Sequence, residues 1–140
     1  MAVRSKAREY AVNMDRGAGL SIAGVDPLPT TASWTPEHLL LAALSRCAVA
    51  SLSFHALRAQ VTVAAEVDAR GTIARRDTDG RYAFTCVALT VAVDVEPLPA
   101  AADLDVLIRN AERDCFVGAS LQVIPEYEWI INGSAVIPRS

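Results

Sequence analysis

The chain has 140 residues, 52% of them hydrophobic and 21% charged, which is a globular composition of the size of one compact domain, 1–140. A net charge of −3 offers no basic patch for nucleic acid, and no run of about 18 apolar residues is free of charge, so neither a nucleic-acid partner nor a membrane span is expected. The basic N-terminus lacks the apolar stretch of a signal peptide, so a cytoplasmic protein is expected, with Cys47, Cys86 and Cys115 initially reduced. An odd cysteine count speaks against a structural disulfide framework.

Taken in chain order, Tyr10, Val12 and Met14 alternate, as do Leu20 and Ile22. The turn residues Asp15-Arg16-Gly17-Ala18-Gly19 between them predict a β-hairpin. Val25 to Ser33, with Pro27 and Pro29, reads as a loop. Thr35 can cap a helix, Pro36 suits its first position and Glu37 complements its dipole. From Glu37 to about Arg58 the pattern is apolar nearly all round, which predicts a buried central helix. Small residues dominate its middle, among them Ala42, Ala43, Ser45, Cys47, Ala48 and Ser51.

Two long strands are predicted next, around the turn Asp77-Thr78-Asp79-Gly80. In the second, Tyr82, Phe84, Cys86 and Ala88 face one way, and Val87, Leu89, Val91, Val93 and Val95 the other. Pro97 and Pro99 end it. Leu104, Leu107, Ile108 and Ala111 then define an amphipathic helix over Asp103 to Asp114, with Cys115 just past its end. Leu121, Val123, Tyr127, Trp129 and Ile131 alternate in a last strand, and Asn132-Gly133 reads as its stop. The order ββ-α-ββ-α-β gives an α+β domain whose sheets must pack on the central helix.

Taken singly, the chemically capable residues have ordinary readings. Cys47 lies in an apolar helix, where cysteines are commonly packed as small hydrophobes. Cys115, at a helix end, is as compatible with packing as with reactivity, and Cys86 reads as a packed strand residue. Glu37 serves the helix dipole, and Arg16 is a solvated turn residue. His38 and His55 are too far apart for a local metal pair, and the cysteine spacing is too wide for a zinc motif. Neither a phosphate loop nor a serine nucleophile elbow is present.

In combination the residues say more. The stretch Trp34-Thr35-Pro36-Glu37-His38-Leu39-Leu40-Leu41-Ala42-Ala43-Leu44-Ser45-Arg46-Cys47 resembles the Asn-Pro-Glu-x-Leu…Ala-x-Cys segment of the OsmC/Ohr family, with Glu37 ten residues before Cys47. Ala111-Glu112-Arg113-Asp114-Cys115-Phe116-Val117-Gly118 resembles that family's second cysteine loop, although the family's usual Cys-Pro-x-Ser is here Cys-Phe-Val-Gly. The resemblance, to a divergent member, implies an α+β fold with antiparallel sheets wrapped around a buried central helix, in an intertwined homodimer. It implies a cofactor-free, cysteine-based peroxidase that reduces organic hydroperoxides to alcohols in the oxidative stress response. Cys47 is then peroxidatic, Cys115 resolving, and Glu37 orients a catalytic arginine. In the Ohr branch that arginine lies in the first hairpin, which maps to Arg16; the loop that carries it in the OsmC branch has no arginine here. An external dithiol, typically on a lipoylated protein, would reduce the resulting disulfide. The alternative is an OsmC-fold protein without peroxidase activity that binds a small apolar ligand or performs other thiol chemistry.

The physics of this set is coherent. Burial of Cys47 opposes thiolate formation, and a guanidinium held by a carboxylate reverses that. Spacing adds a geometric condition. Ten residues of straight helix separate Glu37 from Cys47 by roughly 15 Å along the axis. The two can share one arginine only across a helix kink or with a partner subunit supplying Glu37.

Overall fold

The computed structural model describes residues 6–29 and 33–138. The chain divides into two compact units, Met1–Pro36 and Glu37–Ser140, where the sequence reads as one domain. In the first unit, β1 (Asn13–Met14) and β2 (Leu20–Ser21) form the expected hairpin, shorter than the alternation suggests. Asp15 builds its turn: the carboxylate accepts the Gly17 and Gly19 N–H groups, each at 2.8 Å, and Ala18 takes a positive φ of 65°. Thr30 and Thr31 of the expected loop lie outside the described residues.

The rest of the fold is a four-stranded sheet with three helices. α1 (Pro36–Arg58) starts at the proline anticipated for it. β3 (Thr62–Arg75) and β4 (Tyr82–Glu96) form a long antiparallel hairpin. α2 (Ala101–Arg113), the short α3 (Phe116–Ser120), β5 (Glu126–Ile131) and β6 (Ser134–Val136) follow, and the sheet order is β3-β4-β5-β6. The sheet is mixed rather than antiparallel, because β5 runs parallel to β4. Physically, the chain crosses over through α2 and α3 between these two strands, and a crossover returns a strand in the same direction.

The buried face of β4 is the alternating set Val87, Leu89, Val91, Val93 and Val95. It packs with Trp129 and Ile131 of β5, the Leu104, Leu107, Ile108 and Ala111 stripe of α2, and Leu44, Ala48, Leu52 and Ala56 of α1 in a single cluster. Each fully buried aliphatic side chain contributes about 1.5–3 kcal/mol of transfer free energy. Phe84 does not face out with Cys86 as the alternation suggests: a bulge between Thr72 and Ile73 of β3 shifts the β4 register, and the Phe84 ring packs against the core side, over Gly71 of β3. A Cβ at Gly71 would come within 2.5 Å of the Phe84 ring, so only glycine fits there.

Three sequence expectations need correction. α1 is buried along one stripe, not all round: Phe54 and Leu57 are 55% and 78% exposed. Its apolar character exceeds what one chain covers. Cys86 is exposed rather than packed, because the covered face of β4 is the valine face one residue out of phase. Finally, Asn132-Gly133 ends β5 at Ile131 as read, but that strand is not the last. With φ of 49° and 85°, the pair is the two-residue turn that starts β6. The Asn132 side chain also accepts the Val95 N–H at 2.8 Å and donates to the Val95 carbonyl, extending the β4 edge.

α1 is also long and apolar enough to cross a membrane, with 23 residues and a mean hydropathy of 1.5 over its most apolar window, although Glu37 and Arg46 punctuate it. A helix that supplies one stripe to the core of a folded unit passes the same test.

Candidate active site

Every fourth residue along one stripe of α1 makes a polar contact with the segment that ends α2 and begins α3. The Cys47 Sγ accepts the Val117 N–H at 3.4 Å. One turn on, the Ser51 hydroxyl donates to the Ala111 carbonyl at 2.8 Å, and a further turn on, His55 Nε2 meets the Asp114 carboxylate at 2.7 Å. A spacing of four keeps three side chains on one helix face. The register of α1 against this segment is thereby fixed, and with it the placement of Cys115, which precedes α3 directly.

The two thiols sit together at this crossing. Cys115 is fully buried, Cys47 is half-buried, and both are free thiols. Cys47, the Gly118 backbone and the Tyr127 hydroxyl are the groups that act electrostatically on the Cys115 thiol. Burial pushes the Cys115 thiol up; the Gly118 N–H opposes this, the facing Cys47 sulfur adds to it, and the Tyr127 hydroxyl opposes it. Burial also raises Tyr127, helped by Cys115 and Glu112, so its phenol is held in the neutral, hydrogen-donating form. The Tyr127 ring stacks on Trp129 with centroids 5.9 Å apart, and the Trp129 indole N–H donates to Glu112 at 3.0 Å.

A cleft of about 750 Å³ opens beside this site. Gly118 and Tyr127 border it, Leu121, Ile124 and Pro125 give it an apolar wall, and Arg113 stands among its polar residues. At the cleft floor, a Cβ built on Gly118 would lie 3.4 Å from Cys115 Sγ, 3.5 Å from the Tyr127 hydroxyl oxygen and 3.6 Å from Leu44.

Glu37 and Arg16, the other two sequence-derived site residues, are each described within their own unit. Glu37 is exposed in the first turn of α1. The helix runs uninterrupted through both Glu37 and Cys47, so within one chain they stay about 15 Å apart along its axis, and the kinked alternative is removed. Arg16 is exposed at the tip of the β1–β2 turn in the N-terminal unit, on the backbone that Asp15 pins. Among the described residues no cluster of three or more His, Cys, Asp or Glu could hold a metal ion. Sequence reasoning misses Ser51, His55, Val117 and Tyr127. The first two are legible in principle as polar residues four apart on an apolar helix. Tyr127 hides in a strand alternation that reads as core.

With that geometry in place, the comparisons with known proteins are decisive for the family. The OsmC-like protein family model matches residues 29–129. The chain belongs to this OsmC-like family. No curated protein sequence matches it significantly. Solved structures share the fold. An OsmC-like protein of unknown function from Vibrio cholerae is 20% identical, with 80% of this chain and 82% of that one covered and a TM-score of 0.69. An OsmC-like protein from Mycoplasma pneumoniae is 13% identical, with 90% and 99% covered and a TM-score of 0.70. The organic hydroperoxide resistance protein OhrB of Bacillus subtilis is 16% identical, with 87% and 95% covered and a TM-score of 0.53. At such identities the likeness is one of fold.

Proposed function

We propose that this OsmC-like protein is a cysteine-based peroxidase that reduces organic hydroperoxides to alcohols. The observation that supports it most is the pairing of a half-buried Cys47 with a buried Cys115 at one helix crossing, beside an apolar-walled cleft. Reactive thiols are partly exposed, and resolving ones need only reach their partner. The Cys47 thiolate attacks the outer oxygen of the hydroperoxide. The O–O bond breaks, the alkoxide leaves and takes up a proton as the alcohol, and Cys47 becomes a sulfenic acid. The Val117 N–H at Cys47 Sγ becomes a stronger, charge-assisted bond when that sulfur is charged. Cys115 then displaces hydroxide from the sulfenic acid to form the disulfide, and an external dithiol returns both thiols by exchange.

In this reading the Arg16 guanidinium stabilises the thiolate and the departing oxygen, and Glu37 orients it. The 15 Å along α1 favours a homodimer in which the Glu37 near one Cys47 comes from the other subunit. The exposure of Phe54 and Leu57 on α1 supports such a partner, since these are apolar residues that one chain leaves uncovered.

The test is single-turnover loss of free thiol after mixing the reduced protein with cumene hydroperoxide or hydrogen peroxide, in wild type and in Cys115→Ser. Rapid loss of two thiols with the organic peroxide, and a trapped sulfenic acid in the variant, are expected. A reaction no faster than that of a free thiol removes the peroxidase and leaves the cleft as a binding site for a small apolar ligand.

A further inference from the structure

Residues 111–117 are tied to α1 at three points, and one of them is the residue directly before Cys115. Cys47 Sγ accepts the Val117 N–H, the Ser51 hydroxyl donates to the Ala111 carbonyl, and His55 Nε2 lies 2.7 Å from the Asp114 carboxylate. The His55 side chain is 13% exposed and that of Asp114 37%. Asp114 is ionised at neutral pH, held at a pKa of about 2 by Arg113 first and by His55 after it. An ionised carboxylate only accepts, so the imidazole Nε2 is the donor. Arg113 also bonds Asp114, at 3.0 and 3.1 Å, but it is the neighbouring residue of the same segment and moves with it. His55 belongs to another element, so its bond is the one that ties Asp114 to α1.

We propose that His55 is a positioning residue for Cys115: by holding Asp114 against α1, it keeps the thiol of the next residue opposite Cys47 for disulfide formation. The inference rests on the peroxidase reading for its role in turnover, but the positioning is testable without peroxide. α2 ends at Arg113 and α3 begins at Phe116, so Asp114 and Cys115 form a two-residue link between helices. Such a link pivots more easily than a helix interior. Fixing it in advance removes freedom that ring closure would otherwise have to remove. In the resolving step, the Cys115 thiol loses its proton and its sulfur attacks the Cys47 sulfur. The S–O bond of the sulfenic acid breaks, and the departing hydroxide takes up a proton as water. The S–S bond forms with no other oxidant. His55 takes no part in these bond changes; it acts through Asp114, on where the attacking sulfur stands.

Two substitutions separate the bond from the ring. His55→Phe keeps an aromatic ring against Phe54, which meets His55 edge-on with centroids 5.1 Å apart, and removes the donor. His55 borders a cleft of about 640 Å³ lined also by Arg58, Val61, Leu107 and Asn110, so the larger phenyl has room. His55→Gln does the opposite: it gives up the ring and places an amide N–H at nearly the reach of Nε2, where it can donate to Asp114 again.

The experiment equilibrates the protein with reduced and oxidised glutathione at neutral pH, in a Cys86→Ser background that leaves Cys47 and Cys115 as the thiols. Glutathione disulfide is the oxidant: the Cys47 thiolate displaces one glutathione to give a mixed disulfide, and the Cys115 thiolate displaces the second. Intact-protein mass spectrometry then counts both products. Their ratio at fixed glutathione reads the effective concentration of Cys115 at Cys47. His55→Phe should lower that ratio about fivefold, the scale of one solvent-screened charged hydrogen bond, and His55→Gln should return most of it. An unchanged ratio in His55→Phe overturns the proposal. So does an equal loss in both variants, which would assign the effect to the ring, and so does a wild type that stops at the mixed disulfide. With cumene hydroperoxide, His55→Phe should form the Cys47 sulfenic acid at the wild-type rate and convert it to disulfide about fivefold more slowly. Equal slowing of both steps would mean that His55 serves only the packing, and would overturn the proposal too. If wild type ignores peroxide while the glutathione ratios follow the expected order, the peroxidase falls and the positioning role stands.

Discussion

The helix crossing that holds Cys47 and Cys115 and the strand position that holds Cys86 present one side chain in opposite settings. At the crossing, a half-buried sulfur accepts a backbone N–H and faces a second, fully buried thiol. On β4, Cys86 points away from the valine core into solvent, with Thr72 as its cross-strand neighbour. Exposure by itself gives a thiol with no pocket, no partner sulfur and no positioned donor. Protein chemistry at sulfur depends on what is arranged around it, and only the crossing supplies an arrangement.

The largest effect that would break this comparison is on peroxide chemistry. In single-turnover thiol titrations with cumene hydroperoxide, Cys47→Ser should reduce the reaction to that of an ordinary free thiol, while Cys86→Ser should leave it at the wild-type rate. The reverse result would place the chemistry on the strand. Next in size is the packing that holds the crossing together. Leu44 is fully buried and touches the space at Gly118, so Leu44→Ala should destabilise the fold by about 2–4 kcal/mol in denaturant unfolding. On the opposite side of α1, Leu57→Ala in the isolated subunit should cost no more than about 0.5 kcal/mol, because that side chain is already in water.

A further small effect concerns the edge of the crossing. The Arg113 guanidinium, and after it His55, hold the Asp114 carboxyl at a pKa of about 2, below the ordinary 3.8. A carboxylate lowered in the folded state contributes stability that is complete above its unfolded pKa and is lost as pH falls through the folded value. Stability should therefore fall between about pH 4 and pH 2, and Asp114→Asn should flatten that part of the acid-unfolding profile. Because the pair is solvent-screened, the variant should lose within about 1 kcal/mol at neutral pH.

Much of this molecule is legible in its sequence, for identifiable reasons. Alternation exposed the valine face of β4, the proline and cap signals located the start of α1, and the 3.6-residue period outlined α2. The motif around Glu37 and Cys47, with the cysteine after α2, pointed to the OsmC/Ohr family, and the family match covers residues 29–129. These features are local: each is set by backbone geometry or by the pattern one element needs in order to bury a face. The errors were also local readings. Asn132-Gly133 ends its strand as read, but the strand was taken as the last, and Cys86 was assigned to packing without knowing which face of β4 is covered.

The tertiary structure decided what no short window contains. That β5 lies parallel to β4 depends on the crossover through α2 and α3. That Cys47 meets Val117, Ser51 meets Ala111 and His55 meets Asp114 depends on the register of two helices separated by about sixty or more residues of chain. That Tyr127 and Cys115 both come up to Gly118 depends on a strand and a helix end brought together across a common core. Residue types and periods are fixed by sequence, because they follow from the chemistry of neighbours along the chain. Which thiol has a partner and a donor follows from the packing of distant segments, and that is settled only when the apolar faces close on one another.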